Sequence, residues 1–237
     1  MLHATNIFCG MIKMAPILFY EMSLWGKAIE NYPVQNFKAG IQIRIQGVDE
    51  GDMLIVKSGF ALITVVLDDG TETISHIGGV GCAFGYISAI SRKPYQTSIC
   101  AYTDCSCYVI SGRDVRLLVE DNASFVKNAL RISDMQGDLY FNRITLLAIP
   151  QSQSRLLTLL LGFAAVCGRR RADDTVTIKL DLTHQILSEI LHLNRVTVSR
   201  LMSNFASAGA VEKIGRYYVL NLSVVEILLD GGTNCTE

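Results

Sequence analysis

Apolar and polar positions change rhythm twice along this chain. From Phe37 to Ile110, β-branched runs such as ALITVVL and TETISHI alternate with glycines at 40, 47, 51, 59, 70, 78, 79, 81 and 85. Short strands at regular intervals predict an all-β sandwich or barrel. LDDGTE is a hairpin signal between two of them, because Gly70 can take a positive φ. Near Arg113 the period lengthens. GRDVRLLVED predicts a short helix, and Asn122 or Ser124 can cap a much longer one that runs to about Ile149, where Pro150 stops it. A helix of some 26 residues is a rod of roughly 39 Å.

The long helix carries two apolar stripes. One keeps heptad spacing through Ile132, Met135, Leu139, Asn142, Leu146 and Ile149. The other holds Val126, Leu130, Tyr140, Phe141, Ile144 and Leu147. Either a single core buries the helix on two sides, or the helix packs its own β-domain on one side and a symmetry mate on the other. The second arrangement accounts for the length as well, and it makes Ile132, Met135, Leu139, Asn142 and Leu146 the expected dimer seam.

PQSQSR then reads as a polar hinge, RLLTLLLGFAAVCG as an apolar helix ending at Gly168, RRRADD as a charged loop and TVTIKL as a strand. Two helices follow, at about 183–191 and 194–208. Thr183 and Asn194 are their N-caps, and Gly209 ends the second. His192 and Leu193 form the tight turn between them, with His192 in a left-handed conformation that histidine tolerates better than most residues. Ser188 is small where the second helix crosses. Ile186, Ile190, Leu193, Val198, Leu201 and Phe205 supply an inward face. VEKIGRYYVLNL is a hairpin turning at Gly215–Arg216. The sum is a winged helix-turn-helix.

On the second helix, Arg195, Val196, Ser199 and Arg200 share the face opposite Val198 and Leu201. Arginine suits bidentate contacts to guanine or phosphate, serine contacts phosphate or base edges, and valine meets thymine methyls. Val196 and Thr197 keep that surface slim enough for a major groove. Thr183, Gln185 and Arg216 on the wing are placed to hold phosphates.

Composition narrows the class without deciding it. Half of the 237 residues are hydrophobic, so a core is available and disorder is not expected. Net charge is −1, with 12 Lys+Arg against 14 Asp+Glu before Gln151 and 9 against 8 from there on. Any polyanion site is therefore local. The start MLHATNIFCGMIKMAPILF lacks a signal-peptide pattern, and the longest apolar stretch, Leu156–Cys167, is too short to span a bilayer. A cytoplasmic protein fits. Seven cysteines, an odd number, argue against a disulfide framework. No nucleophile–base pair or metal cluster is apparent, so an enzyme is not expected.

With these residues in hand, the chain resembles the CRP/FNR superfamily of bacterial transcription regulators over nearly its whole length. GDMLIVKSG is similar to the family's strand–turn signature, and LTHQILSEILHLNRVTVSR to its DNA-reading segment. The resemblance implies an α+β fold. An N-terminal β-roll of the cyclic-nucleotide-binding (jelly-roll) type occupies 1–121, a long dimerisation helix and hinge 122–150, and the winged helix-turn-helix 151–237. It implies a homodimer that binds double-stranded DNA at a palindromic site and works with RNA polymerase, as activator or repressor. His192 stands where glycine is common. Val196 stands where many members carry a base-reading Glu. Val-x-x-Ser-Arg looks more like the halorespiration regulators that respond to chlorinated phenols and recognise an A/T-rich inverted repeat. Losing the carboxylate removes an acceptor for cytosine N4, which is consistent with that preference.

The resemblance also bears on the sensor. Cyclic-nucleotide-binding members hold ribose and phosphate with a Gly-Glu-Leu turn and an Arg-Ser/Thr pair. Here Gly85 is present, Tyr86 replaces the Glu, and Gln96 replaces the Arg before Thr97 and Ser98. A phosphate loses its main charge-assisted partner, so cyclic AMP is not expected. Tyr86, Tyr140 and Phe141 either line a pocket for a small aromatic effector, with His76 or Arg143 for an anionic group, or simply fill it. Iron–sulfur members need several N-terminal cysteines, and only Cys9 is there. GCAFG at Cys82 resembles haem-sensing members, but Phe84 replaces the His ligand. Neither group, nor any metal site, is expected. Cys100, Cys105 and Cys107 lie close together. They are either small core residues or a thiol switch. A thiol sensor with the same DNA output, or an interaction module that no longer reads DNA, are the alternatives.

Overall fold

A computed structural model describes residues 14–48, 51–171 and 173–231. It divides into two compact units, one of Ile17–Gly137 and one of the residues from Asp138 onward with those before Ile17. The boundary falls inside the longest helix.

Among the described residues, the first unit is a β-roll of nine strands. β1 (Ile17–Leu18), β6 (Glu72–Gly78), β5 (Ala61–Val66), β8 (Ser98–Ala101) and β3 (Gln42–Arg44) form a five-stranded sheet in that order. β2 (Val34–Phe37), β9 (Cys105–Ile110), β4 (Met53–Ser58) and β7 (Ala83–Phe84) form a four-stranded one. All pairs are antiparallel except β1 on β6. The LDDGTE hairpin closes as expected, with Gly70 at φ 81° and the Leu67 N–H donating to the Thr71 carbonyl at 2.8 Å. Strand pairing starts earlier than the alternation suggested, because two residues of β1 are too few to show a period.

Helices cover one face of the four-stranded sheet. They are α1 (Met22–Trp25), α2 (Tyr86–Ser91), α3 (Gly112–Asp121) and the long α4 (Ala123–Leu147). Their common core joins Trp25, Ile29, Met53, Ile55, Tyr86, Ile110, Phe125, Ala129 and Ile132, with Met135 packed against it. Trp25 donates its indole N–H to the Gly81 carbonyl at 2.8 Å and lies 5.8 Å from the Phe125 ring. Asn122 caps α4, its side-chain oxygen accepting the Phe125 N–H at 3.0 Å.

This packing corrects the expected seam. Ile132, Leu139 and Leu146 are buried within the chain, and Met135 and Asn142 are half-buried. The stripe left to solvent is the other one, with Leu130, Phe141 and Ile144 exposed at 66%, 68% and 69%. Spacing cannot rank two apolar stripes on one helix. The side that follows Phe125 and Ala129 is claimed by the β-roll core, and Leu130, Asp134, Gly137, Phe141, Ile144 and Ala148 inherit the heptad rhythm.

The second unit contains α5 (Ser152–Cys167), α6 (His184–Leu191), α7 (Arg195–Ser207), α8 (Leu222–Gly231) and a sheet ordered β10 (Gly168–Arg170), β11 (Thr175–Ile178), β13 (Tyr217–Asn221), β12 (Val211–Ile214). α5 is buried on every side from Leu156 to Ala164, as a helix apolar all round must be. A Cβ at Gly162 would press on the Ala15 backbone nitrogen at 2.7 Å, so glycine lets that segment cross. Gly168–Arg170, expected as the helix end and the start of a charged loop, is an edge strand paired with β11. Two arginines of the RRR run mask this strand because an exposed edge needs no apolar alternation.

Candidate DNA-reading cleft and sensor residues

The helix-turn-helix forms through the caps the sequence offered. The Thr183 hydroxyl accepts the Ile186 N–H at 3.2 Å, and Asn194 Oδ1 accepts the Val196 N–H at 2.8 Å. Each such cap contributes on the order of 1 kcal/mol. His192 takes φ 50°, ψ 45°, and both its N–H and that of Leu193 are given to the Ser188 carbonyl. Buried Ser188 sits where the chain turns back, and its hydroxyl donates to the Gln185 carbonyl at 2.7 Å. The inward face of α6 is Leu187, Ile190 and Leu191, with Ile186 and Leu193 half-buried, so the apolar stripe is rotated slightly from the expected one. α7 buries Val198, Leu201, Met202 and Phe205. Gly209 follows it at φ 72°.

The opposite side of α7 forms one wall of an open cleft lined by His184, Arg195, Val196, Ser199, Arg200 and Ser203. Four of the residues singled out from sequence therefore meet in space. Val196 is 74% exposed at its centre. Thr197 is half-buried beside it. Thr183 and Gln185 are exposed on α6, and the Gln185 amide donates to Glu189 at 2.6 Å. On the wing, the Arg216 guanidinium stands 5.4 Å over the Tyr217 ring, with Lys179 4.9 Å over the same ring. His184 and Ser203 were missed. Ser203 follows Ser199 by one helical turn and could have been found by i, i+4 spacing. His184 belongs to another helix, and only the tertiary fold brings it in.

The sensor candidates in the β-roll are mostly occupied. Tyr86 is buried, and its hydroxyl bonds Ser133 Oγ and Gln136 Oε1 of α4, each at 2.9 Å. Gly85 takes φ 77°, where a Cβ would strike the Asp52 carbonyl and the Tyr95 hydroxyl. Gln96 is exposed, Thr97 half-buried, and Ser98 Oγ accepts the Gln46 N–H at 3.0 Å. His76 is buried, with Nδ1 3.1 Å from Ser75 Oγ. Arg44, which the sequence reading passed over, keeps its guanidinium largely buried and paired with Asp52 at 3.2 Å.

Tyr140, Phe141 and Arg143 lie beyond the unit boundary on α4. Tyr140 and Phe141 are exposed. Arg143 Nη2 also reaches His192 Nε2 at 3.4 Å, at the turn of the helix-turn-helix. Burial, then Arg143 and Arg155, hold the His192 imidazole below its ordinary value. Among the cysteines, Cys82 is buried with its thiol donating to the Leu18 carbonyl at 2.9 Å, and burial pushes it up to about 12. Its hydrogen bond with Cys105, followed by burial, holds the Cys107 thiol well above the usual range. Cys9 lies outside the described residues. Among the described residues no group of three or more His, Cys, Asp or Glu could hold a metal ion, and no helix is long and apolar enough to cross a membrane.

Two family models match the chain in the order of its units. Residues 34–122 match the cyclic nucleotide-binding domain and 154–226 the Crp-like helix-turn-helix domain, together more than half of the sequence. The chain belongs to the CRP/FNR family of DNA-binding transcription regulators. A CRP-like cAMP-activated global transcriptional regulator of Mycobacterium tuberculosis is 21% identical over 186 residues, 78% of this chain and 83% of that one. A CooA mutant from Carboxydothermus hydrogenoformans superposes with TM-score 0.75 at 17% identity, covering 92% of this chain and 99% of its own. An OCPA-complexed CprK variant superposes with TM-score 0.71 at 16% identity, covering 91% and 97%. At these identities the superpositions speak for the architecture of this CRP/FNR regulator, β-roll, long helix and helix-turn-helix.

Proposed function

We propose that this CRP/FNR regulator reads an A/T-rich inverted repeat as a cytoplasmic homodimer, in response to a small aromatic effector, and acts with RNA polymerase. The observation that carries the DNA part is the cleft itself. Two exposed arginines flank a bare valine, two serines line the same wall, and no carboxylate is among its lining residues. Arg195 and Arg200 hold phosphate or guanine, Ser199 a phosphate or base edge, and Val196 a thymine methyl. Thr183, Gln185 and Arg216 reach the backbone on either side, with Thr197 packed beneath the reading face.

CRP-like regulators act as dimers, and the exposed Leu130–Phe141–Ile144 stripe offers a second copy the seam, in place of the buried heptad. For the effector, the supporting observations are negative toward phosphate. The position matching the phosphate cation is an exposed amide, Gln96, and Ser98 is already engaged. Tyr86 ties that region to α4, so a ligand acting on this hydroxyl would act on the long helix. Repeated selection from a random duplex pool tests the DNA reading. The expected product is a palindrome with A/T-rich half-sites about one helical turn, roughly 34–36 Å, apart. A pool that shows no enrichment with or without aromatic effectors overturns it.

A further inference from the structure

His184 opens α6 and lies in the cleft wall that Arg195, Val196, Ser199, Arg200 and Ser203 complete. The charges that bear on it most are cationic. Arg195 and Arg200 line the same cleft from α7, and Lys213 bears on it from β12. Burial first, then Lys213 and Arg195, hold the imidazole below its ordinary value, which favours the neutral ring in the free protein. A backbone phosphate entering the cleft reverses that field. It neutralises the neighbouring cations and sets a negative charge within reach of the ring, and both effects favour the imidazolium.

We infer that His184 is a titrating DNA contact, which takes up one proton from solvent as a phosphate enters the cleft, so that DNA binding strengthens as pH falls below neutrality. The inference rests on the DNA reading of the cleft and adds the proton as a second reactant. No covalent bond changes: neutral imidazole, phosphate and a solvent proton become an imidazolium–phosphate pair, and the proton returns to solvent on release. The sign follows from linkage. The bound state holds more protons than the free state, so affinity rises on acidification between the bound and free titration points, by at most about tenfold per pH unit for each protomer. A ring that only packs against α7 would alter affinity equally at every pH.

The test uses the full chain and a labelled random-sequence duplex, since backbone contacts do not depend on sequence. Anisotropy titrations are run at pH 6 and pH 8 at one low ionic strength, with calorimetry in two buffers of different ionisation enthalpy to count protons. Wild type is expected to bind several-fold more tightly at pH 6 and to take up protons. His184→Gln keeps a neutral donor, so it is expected to match wild type at pH 8 and lose the increment. His192→Gln is expected to keep it. An increment undiminished in His184→Gln, or an equal loss of affinity at both pH values, overturns the inference while leaving the DNA reading intact. A wild-type chain that binds no duplex at either pH removes the DNA reading, and the inference with it.

Discussion

Val196 shows how much one side chain can decide. Among the described residues it is the most exposed large hydrophobic, at 74%, yet it stands between two arginines on a helix whose other face is fully packed. Valine also costs helix propensity relative to alanine, so packing and local preference both fail to explain it. The proposed contact with a thymine methyl accounts for it. Replacing it by a carboxylate installs an acceptor for cytosine N4. Val196→Glu is expected to change the selected half-site at one position from A·T toward C·G, by about 1–3 kcal/mol of discrimination. Its fold should be unaffected, because the side chain touches no core. Selection from a random duplex pool with both proteins checks this, and an identical consensus for the two would remove Val196 from the reading surface.

Among elements, α4 carries the sharpest consequence. The β-roll core holds its buried stripe as far as Ile132 and Met135, and its exposed stripe presents Leu130, Phe141 and Ile144, with small Gly137 among them and Ala148 beyond. Side chains repeating every three to four residues, with gaps at small ones, suit a close pairing of two helices. Asp134 already brings one charge to this stripe, and a second at its middle would be buried against its own symmetry copy. Phe141→Asp is therefore expected to give a monomer by light scattering at micromolar concentration and to weaken duplex binding at least about tenfold, since each monomer grips only one half-site. An unchanged dimer would place the interface elsewhere. The element boundaries themselves were open to reading because punctuation marks them: Asn122, Thr183, Asn194, Gly209 and Gly215 each do locally what their chemistry suggests. The choice between two stripes was not, because it depends on which face a β-sheet distant in sequence covers. For the same reason the contact of Arg143 with His192, and the place of His184 beside α7, are not legible in the sequence.

At the scale of the whole molecule, the question is what the β-roll listens to. The family pattern suggests a cyclic nucleotide, and the residues at the matching positions argue against one. Gln96 offers no charge to a phosphate, Tyr86 occupies the ribose-side position with its hydroxyl already shared between Ser133 and Gln136, and buried Arg44 is committed to Asp52. A phosphate moved there from water would exchange full hydration for largely neutral partners, at a cost of several kcal/mol. An uncharged or weakly acidic aromatic ring avoids most of that cost and gains apolar burial at about 25 cal/mol per Å². Ligand binding to the folded state raises thermal stability by mass action, about 2.7 kcal/mol at a hundredfold excess over Kd. Melting curves in the presence of cyclic AMP, cyclic GMP, phenolic acids and chlorinated phenols should separate the two chemistries. The expected result is no shift with either nucleotide at millimolar concentration and a dose-dependent rise with an aromatic compound, lost or reduced in Tyr86→Phe, which breaks the hydroxyl link to α4. A rise with cyclic AMP alone would mean that a cation outside the family position has taken over the phosphate, with exposed Arg92 and Lys93 the first residues to change.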